Sequence, residues 1–326
     1  MPNFPEQTRA SGTPRSANRP MPARRVFAAL VLSLALLPSL AFAQHGAKPN
    51  FTGWQLLLSR YCLAMPGKSG LQDTRFDYEQ LYVDENIWTL HRSDRLSTIR
   101  SQLFATPPDQ FSPKDRMAWA INAYNFLVVE HATIHMLVPN RQFLRYKSVN
   151  DIVVEGTSFF VLPVVELEGR TWSIEEFARH YVYGDSTPLL ESRAKGSDPR
   201  LSFALCPGYA GGPPLALRAY TGDSLEAQLD QAARRALSLP RFLTVDKTVG
   251  TIVASEHFNT HRADFGGNPN GAIPFLERFG SSDVKGVIKK FKLTGISRFS
   301  TVDVGMNQFE RPKSAPQPMP PPGTGT

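Results

Sequence analysis

Apolar residues recur at helical spacing over residues 51–63, where Trp54, Leu57, Leu58 and Tyr61 share one side. They do so again over 95–104, through Leu96, Ile99 and Leu103. The longest run opens at Ser112, a good N-cap, with Pro113 at the first helical position and Asp115 in the first turn. From Trp119 through Ile121, Tyr124, Leu127, Val128 and Ile134 no clean polar face remains until Pro139. That is the pattern of a helix buried on several sides. It carries Asn122 and Asn125 inside, where an unpaired amide is costly. They either tie down nearby backbone or line a pocket.

Residues 81–83 read as a short strand. Residues 159–167 and 170–172 read as two strands turning at Glu168-Gly169. Ser173-Ile-Glu-Glu176 is a capping box that starts a helix to about Val182. Further on, Ser224 caps a helix to about Leu239, and 242–245 and 251–253 form a pair of short strands. Helices at 256–262, 272–279 and 283–291 follow. Helices, then a hairpin, then mixed elements predict one α+β domain over 50–309. It has a helical N-terminal part, a β-hairpin and a small mixed sheet flanked by helices.

One stretch breaks the pattern. After the Asp198-Pro-Arg turn, residues 201–205 are an apolar run that reads as a mostly buried strand. At Cys206 the chain becomes Pro-Gly-Tyr-Ala-Gly-Gly-Pro-Pro, which no regular element survives. The run is expected to empty into an irregular loop that the remaining elements surround.

The formal charge of +7 suggests a nucleic-acid partner until it is located. Five arginines and one acid precede an apolar segment near the N-terminus; without them 31 basic and 28 acidic residues leave +3. No Lys/Arg block follows, which excludes a basic nucleic-acid face. Arg24-Arg25, the apolar run 26–37, Pro38 and Ala41-Phe42-Ala43 read as a Sec-type signal cut after Ala43. Residues 1–43 are therefore an N-terminal extension and signal, and the mature chain is periplasmic or secreted with no membrane span. Residues 310–326 are a Pro-rich, apolar-poor tail. Cys62 and Cys206 both lie in the mature part, and an even count in an oxidising compartment allows one disulfide.

Several segments recur together in one order: Trp119-Ala-Ile-Asn122-Ala-Tyr124-Asn125, the hairpin into Ser173-Ile-Glu-Glu176, Asp198-Pro-Arg200, Phe203-Ala-Leu205, Pro213-Pro-Leu215, and Phe265-Gly-Gly before Phe275-Leu276. In this they resemble the domain-of-unknown-function family numbered 547 (DUF547), over about residues 75–307. Family members typically carry Asn-Cys-Gly in the loop and a second Cys further on. Aligned without gaps, the Asn falls on Cys206, the first Cys on Pro207 and the second on Gly212. A family His on the helix after the hairpin falls on Arg179, one residue before His180. On a thiol-based, hydrolase-like reading of the family, this chain has lost both partners from their places.

Cys206 is open to three readings: a small structural residue, half of a Cys62–Cys206 disulfide, or a nucleophile with His180 as base and Arg200 supplying charge. Loop amides would serve an oxyanion, although Pro207 removes one of them. The pairs His131/His135 and His257/His261 sit at i, i+4, but neither has the H-E-x-x-H pattern or a third ligand, so no metal is assigned. No pattern names a cofactor. Asn122, Tyr124, Asn125, Arg200 and Tyr209, with Trp172 at the hairpin end, are the candidate lining of a cleft for envelope peptide or glycan. The sequence favours a binding or structural role with a degenerate loop. The alternative is a cysteine-dependent hydrolase or transferase acting on peptide or cell-wall material.

Overall fold

In the computed structural model the described residues are 46–65, 73–87, 93–135, 146–185, 196–267, 271–296 and 298–309. The expected export segment and the Pro-rich tail lie outside them, as does the predicted helix stop at Pro139.

The N-terminal helical part is α1 (Thr52–Tyr61), α2 (Tyr78–Asp84), α3 (Asp94–Phe104) and the long α4 (Pro113–His135). Each forms for a local reason. In α1, Trp54, Leu57, Leu58 and Tyr61 are the buried residues, as their spacing requires. Ser93 caps α3, accepting from the Leu96 amide at 3.0 Å. At the start of α4, Ser112 Oγ accepts from the Asp115 amide at 3.2 Å and donates to its carboxylate at 2.6 Å. From Ala118 to Thr133 nearly every side chain of α4 is buried, polar Asn122, Asn125 and Glu130 included. This helix is the axis on which the site is built.

Residues 81–83 are helical, not a strand. Asp77 accepts from the Gln80 amide at 3.1 Å and starts α2, whose Tyr78, Leu81 and Tyr82 face the core. The strand lies earlier, as β2 (Asp73–Phe76), antiparallel to β1 (Cys62–Met65). Residues 159–161 are a 3₁₀ turn rather than strand. The hairpin proper is β5 (Pro163–Leu167) with β6 (Arg170–Ser173), preceded by the two-residue pair β3 (Val153–Val154) and β4 (Thr157–Ser158). Glu168 and Gly169 take φ of 55° and 73°, the left-handed pair that a tight hairpin turn needs. The Ser173/Glu176 capping box then starts α5 (Ile174–Phe177), which widens into a π turn at Ala178–Val182.

Residues 201–204 are one helical turn, α6 (Leu201–Ala204), not the expected strand. The segment satisfies its own backbone. Leu201 N donates to Asp198 O, Phe203 N to Arg200 O, and Ser202 Oγ to Pro199 O, so no ladder partner is required. Next come α7 (Leu225–Leu237), where Ser224 makes no side-chain cap, then β7 (Leu243–Asp246) and β8 (Thr251–Ser255), antiparallel. Short α8 (His257–Thr260), α9 (Ala272–Phe279) and α10 (Ser282–Phe291) cross over to β9 (Arg298–Ser300), parallel to β8. The result is the α+β class, with a small mixed sheet flanked by helices.

Buried apolar residues form two clusters. The larger surrounds α4 and takes in Leu201, Ala204, Leu205 and Cys206. The smaller surrounds Phe242, Phe258 and Leu276 and takes in Phe203. The turn α6 therefore has a foot in each core.

Candidate functional site

The chain from Leu205 to Tyr220 has no regular structure, so its backbone donors and acceptors must be met by side chains. Two of those side chains are the motif asparagines of α4, three residues apart and so on one side of the helix. Asn125 Nδ2 donates to Ala204 O at 3.0 Å while its Oδ1 accepts from Cys206 N at 2.8 Å. Asn122 Nδ2 donates to Tyr220 O at 2.7 Å and its Oδ1 accepts from Tyr220 N at 2.9 Å and Trp54 Nε1 at 3.3 Å. Each amide imitates a strand partner, and together they clamp both ends of the loop. This corrects their place in the cleft lining, because both are buried and spent on backbone.

The middle of the loop is held from elsewhere. Thr74 Oγ1 donates to Leu215 O at 2.8 Å, and Arg241 Nη2 donates to Gly212 O at 3.2 Å. Arg241 also forks onto Asp73 at 2.6 and 2.7 Å. Burial works against ionisation of Asp73, but the Arg241 fork and the Arg75 charge hold its carboxyl below the usual range. Arg200 is committed too. Its guanidinium is shared by Asp198, Asp230 and Glu226, at 2.6, 2.6 and 2.7 Å. It is a tie between α6 and α7 rather than a cleft cation, and the positive charges acting on Cys206 are those of Arg241 and Arg75.

Cys206 and Cys62 are both free thiols, and both are buried. Cys206 is 3% exposed, and its sulfur accepts from Asn307 Nδ2 at 3.7 Å. Burial pushes its thiol up, against the opposing pull of the Gly208 amide, Asn307 and the two arginines. Cys62 is pushed up to about 12, by burial first and then by the neighbouring Cys206. His180 is exposed, and its ring lies 4.8 Å from Trp172 and 4.6 Å from Tyr181, centroid to centroid. Trp172 carries the Arg170 guanidinium at 4.1 Å. Arg179, one residue earlier, is buried and paired with Glu175 at 3.7 Å. Helical geometry thus separates Arg179 from His180, and the imidazole belongs to the hairpin's aromatic stack rather than to the thiol.

What the loop does bring together is tyrosine. Tyr124, from α4, is buried, and Tyr209, Tyr183 and Glu175 lie within electrostatic reach of its phenol. Burial drives the Tyr124 phenol well up, and the neighbouring Tyr209 and Tyr183 add to this. Tyr209 and Tyr183 are half-buried, so the patch has an open side. Tyr183 extends it towards His261, with ring centroids 6.2 Å apart. Tyr183 carries no sequence signal, because it follows directly on the π turn at Ala178–Val182, which no local pattern announces.

Within each histidine pair the rings pack on one another, those of His257 and His261 with centroids 4.4 Å apart. His131 and His135 stack at 5.6 Å, and His257 Nε2 lies 3.0 Å from Ser202 Oγ. Among the described residues no group of three His, Cys, Asp or Glu comes together as a metal site.

The model of the family described as "Protein of unknown function, DUF547" matches residues 108–236. The chain carries a DUF547 domain. The match runs from just before α4 almost to the end of α7, so it holds the clamps, the hairpin, the π turn and the whole loop. No curated protein and no solved structure matches the chain.

Proposed function

We propose that this is an exported envelope domain that binds peptide or glycan through the tyrosine patch of its DUF547 loop and carries out no thiol chemistry there. The state of Cys206 supports the reading above all. Its sulfur is buried and its thiol pushed up, whereas a nucleophile needs a depressed pKa and a base within reach. The imidazole proposed as that base stacks on Trp172 instead. Tyr124, Tyr183 and Tyr209 offer the mixture of apolar ring and polar tip that suits sugars and peptides. Export rests on Arg24-Arg25, the apolar run and the Ala41-Phe42-Ala43 cut site.

The test is co-sedimentation of the full mature chain with isolated peptidoglycan sacculi. Wild type is expected to pellet, and Tyr209→Ser with Tyr183→Ser to weaken binding at least tenfold at unchanged melting temperature. No pelleting, or pelleting indifferent to both tyrosines, overturns the reading.

A further inference from the structure

The segment after β9 runs between two backbone edges, the loop and the end of β2. On one side it meets the loop: Gly211 N donates to Asp303 O at 2.7 Å, Ala210 N to Gly305 O at 2.6 Å, and Asn307 N to Gly208 O at 2.9 Å. On the other side it meets the end of β2: Phe76 N donates to Asn307 O at 3.0 Å and Phe309 N to Phe76 O at 3.0 Å. Met306 N adds a bond to Lys147 O at 2.7 Å. The bridges Tyr209 to Met306, antiparallel, and Phe76 to Gln308, parallel, describe an inserted strand.

Two side chains fix the register. Asn307 Oδ1 accepts from Arg75 at 3.0 Å while its Nδ2 faces the Cys206 sulfur. Gln308 Oε1 accepts from Tyr78 N at 3.1 Å, and its Nε2 donates to Phe309 O at 2.8 Å and Asp77 Oδ1 at 3.5 Å. Both carboxamides are buried. The segment lies outside residues 108–236, so it is not part of the matched domain it closes upon.

We propose that the groove between Phe76 and Gly208–Gly211 is a strand-accepting peptide site whose self-ligand is the strap Asp303–Phe309. Its ligand class is an extended peptide carrying two adjacent carboxamides, with the strap's Asn307-Gln308 as the resident example. Main-chain bonds on both edges supply affinity for any extended chain. The paired amide pockets select the carboxamides, because a peptide lacking them leaves Tyr78 N unmet and forfeits the bond from Arg75. When seated, the strap covers Cys206. The groove uses the backbone of Gly208–Gly211, whereas the patch uses the Tyr209 side chain, so failure of sacculus binding does not decide it.

Gly211 supplies the test. A Cβ there would lie 2.4 Å from Asp303 N and 2.6 Å from Asp303 O, strap backbone that cannot swing aside, and 2.8 Å from Val302 Cγ1 just before the strap. Gly211→Ala should therefore unseat the strap and leave α4 alone. The probe is a fluorescent Gly-Met-Asn-Gln-Phe peptide, which stops short of the Gly211 contact, added to the full chain. Gly211→Ala is expected to bind it at least tenfold more tightly than wild type. Its Cys206 should alkylate at least tenfold faster, and the peptide should slow that labelling. A Gly-Met-Ala-Ala-Phe peptide should do neither. Equal or absent binding to both proteins overturns the proposal. Should Gly211→Ala fail to fold, hydrogen exchange on the wild type decides. The Ala210, Asn307 and Phe309 amides are expected to exchange at least a hundredfold faster than those of α4. Exchange at the α4 rate makes the segment an ordinary strand and sinks the proposal.

Discussion

Changing Asn125 to Asp is nearly isosteric and tests the clamp directly. One carboxylate oxygen still accepts from Cys206 N, but the group facing Ala204 O at 3.0 Å turns from donor to acceptor. The position is 2% exposed, so water cannot take over. Leaving the Ala204 carbonyl unmet costs about 1–3 kcal/mol. Burying the charge costs more, and the new carboxyl escapes by taking a proton, whose O–H restores the donor. Its folded pKa therefore rises above the ordinary ~3.9 of the unfolded chain. A raised pKa contributes stability that is fully present below the unfolded value and lost as pH climbs to the folded one, at about 1.4 kcal/mol per unit. Asn125→Asp should be close to wild type at pH 4 and about 3 kcal/mol or more worse at pH 7. Urea unfolding at both pH values measures the gap. A gap that does not change with pH would refute the clamp, because it would mean the amide donor has no buried acceptor to satisfy.

Other consequences follow from the same structure. Phe203→Ala should cost about 3–5 kcal/mol by thermal or urea melts, since a fully buried ring joins the small core to the turn. Burial holds His131 down at about 3, helped by Arg100 and His135; burial and His261 hold His257 well below its usual range. A depressed pKa contributes stability present above the unfolded ~6.5 and lost as pH falls. Urea midpoints should drop between pH 7 and pH 5, and His131→Gln with His257→Gln should flatten that drop. An unchanged slope would show that neither histidine is neutral in the fold.

The sequence made some of this legible because the determinants were local. Ser112, Pro113 and Asp115 mark the start of α4, its apolar pattern shows that it is buried, and Ser173 with Glu176 marks α5. What it hid depends on distant partners. The turn α6 reads as a strand because the short apolar run 201–205, broken only by Ser202, fits either element; what decides is Asp198 closing the turn on itself. β1 and β2 are four residues each and are defined by pairing rather than period. Asn122 and Asn125 could be placed inside but not given partners, since these lie 98 and 79 residues away. Arg200 looked available because its acidic neighbours Glu226 and Asp230 come from another helix. The strap has no periodicity, and Asn307 meets Arg75 across 232 positions.

The Cys206 sulfur is part of the core. Iodoacetamide labelling of Cys206, followed by peptide mass across pH 5 to 10 in the native full chain, measures this directly. The predicted result is a rate at least a hundredfold below that of the urea-unfolded chain, still rising past the ordinary thiol pKa of ~8.5. A rate that plateaus near pH 6 and exceeds that of the unfolded chain would contradict it, and would restore Cys206 as a nucleophile.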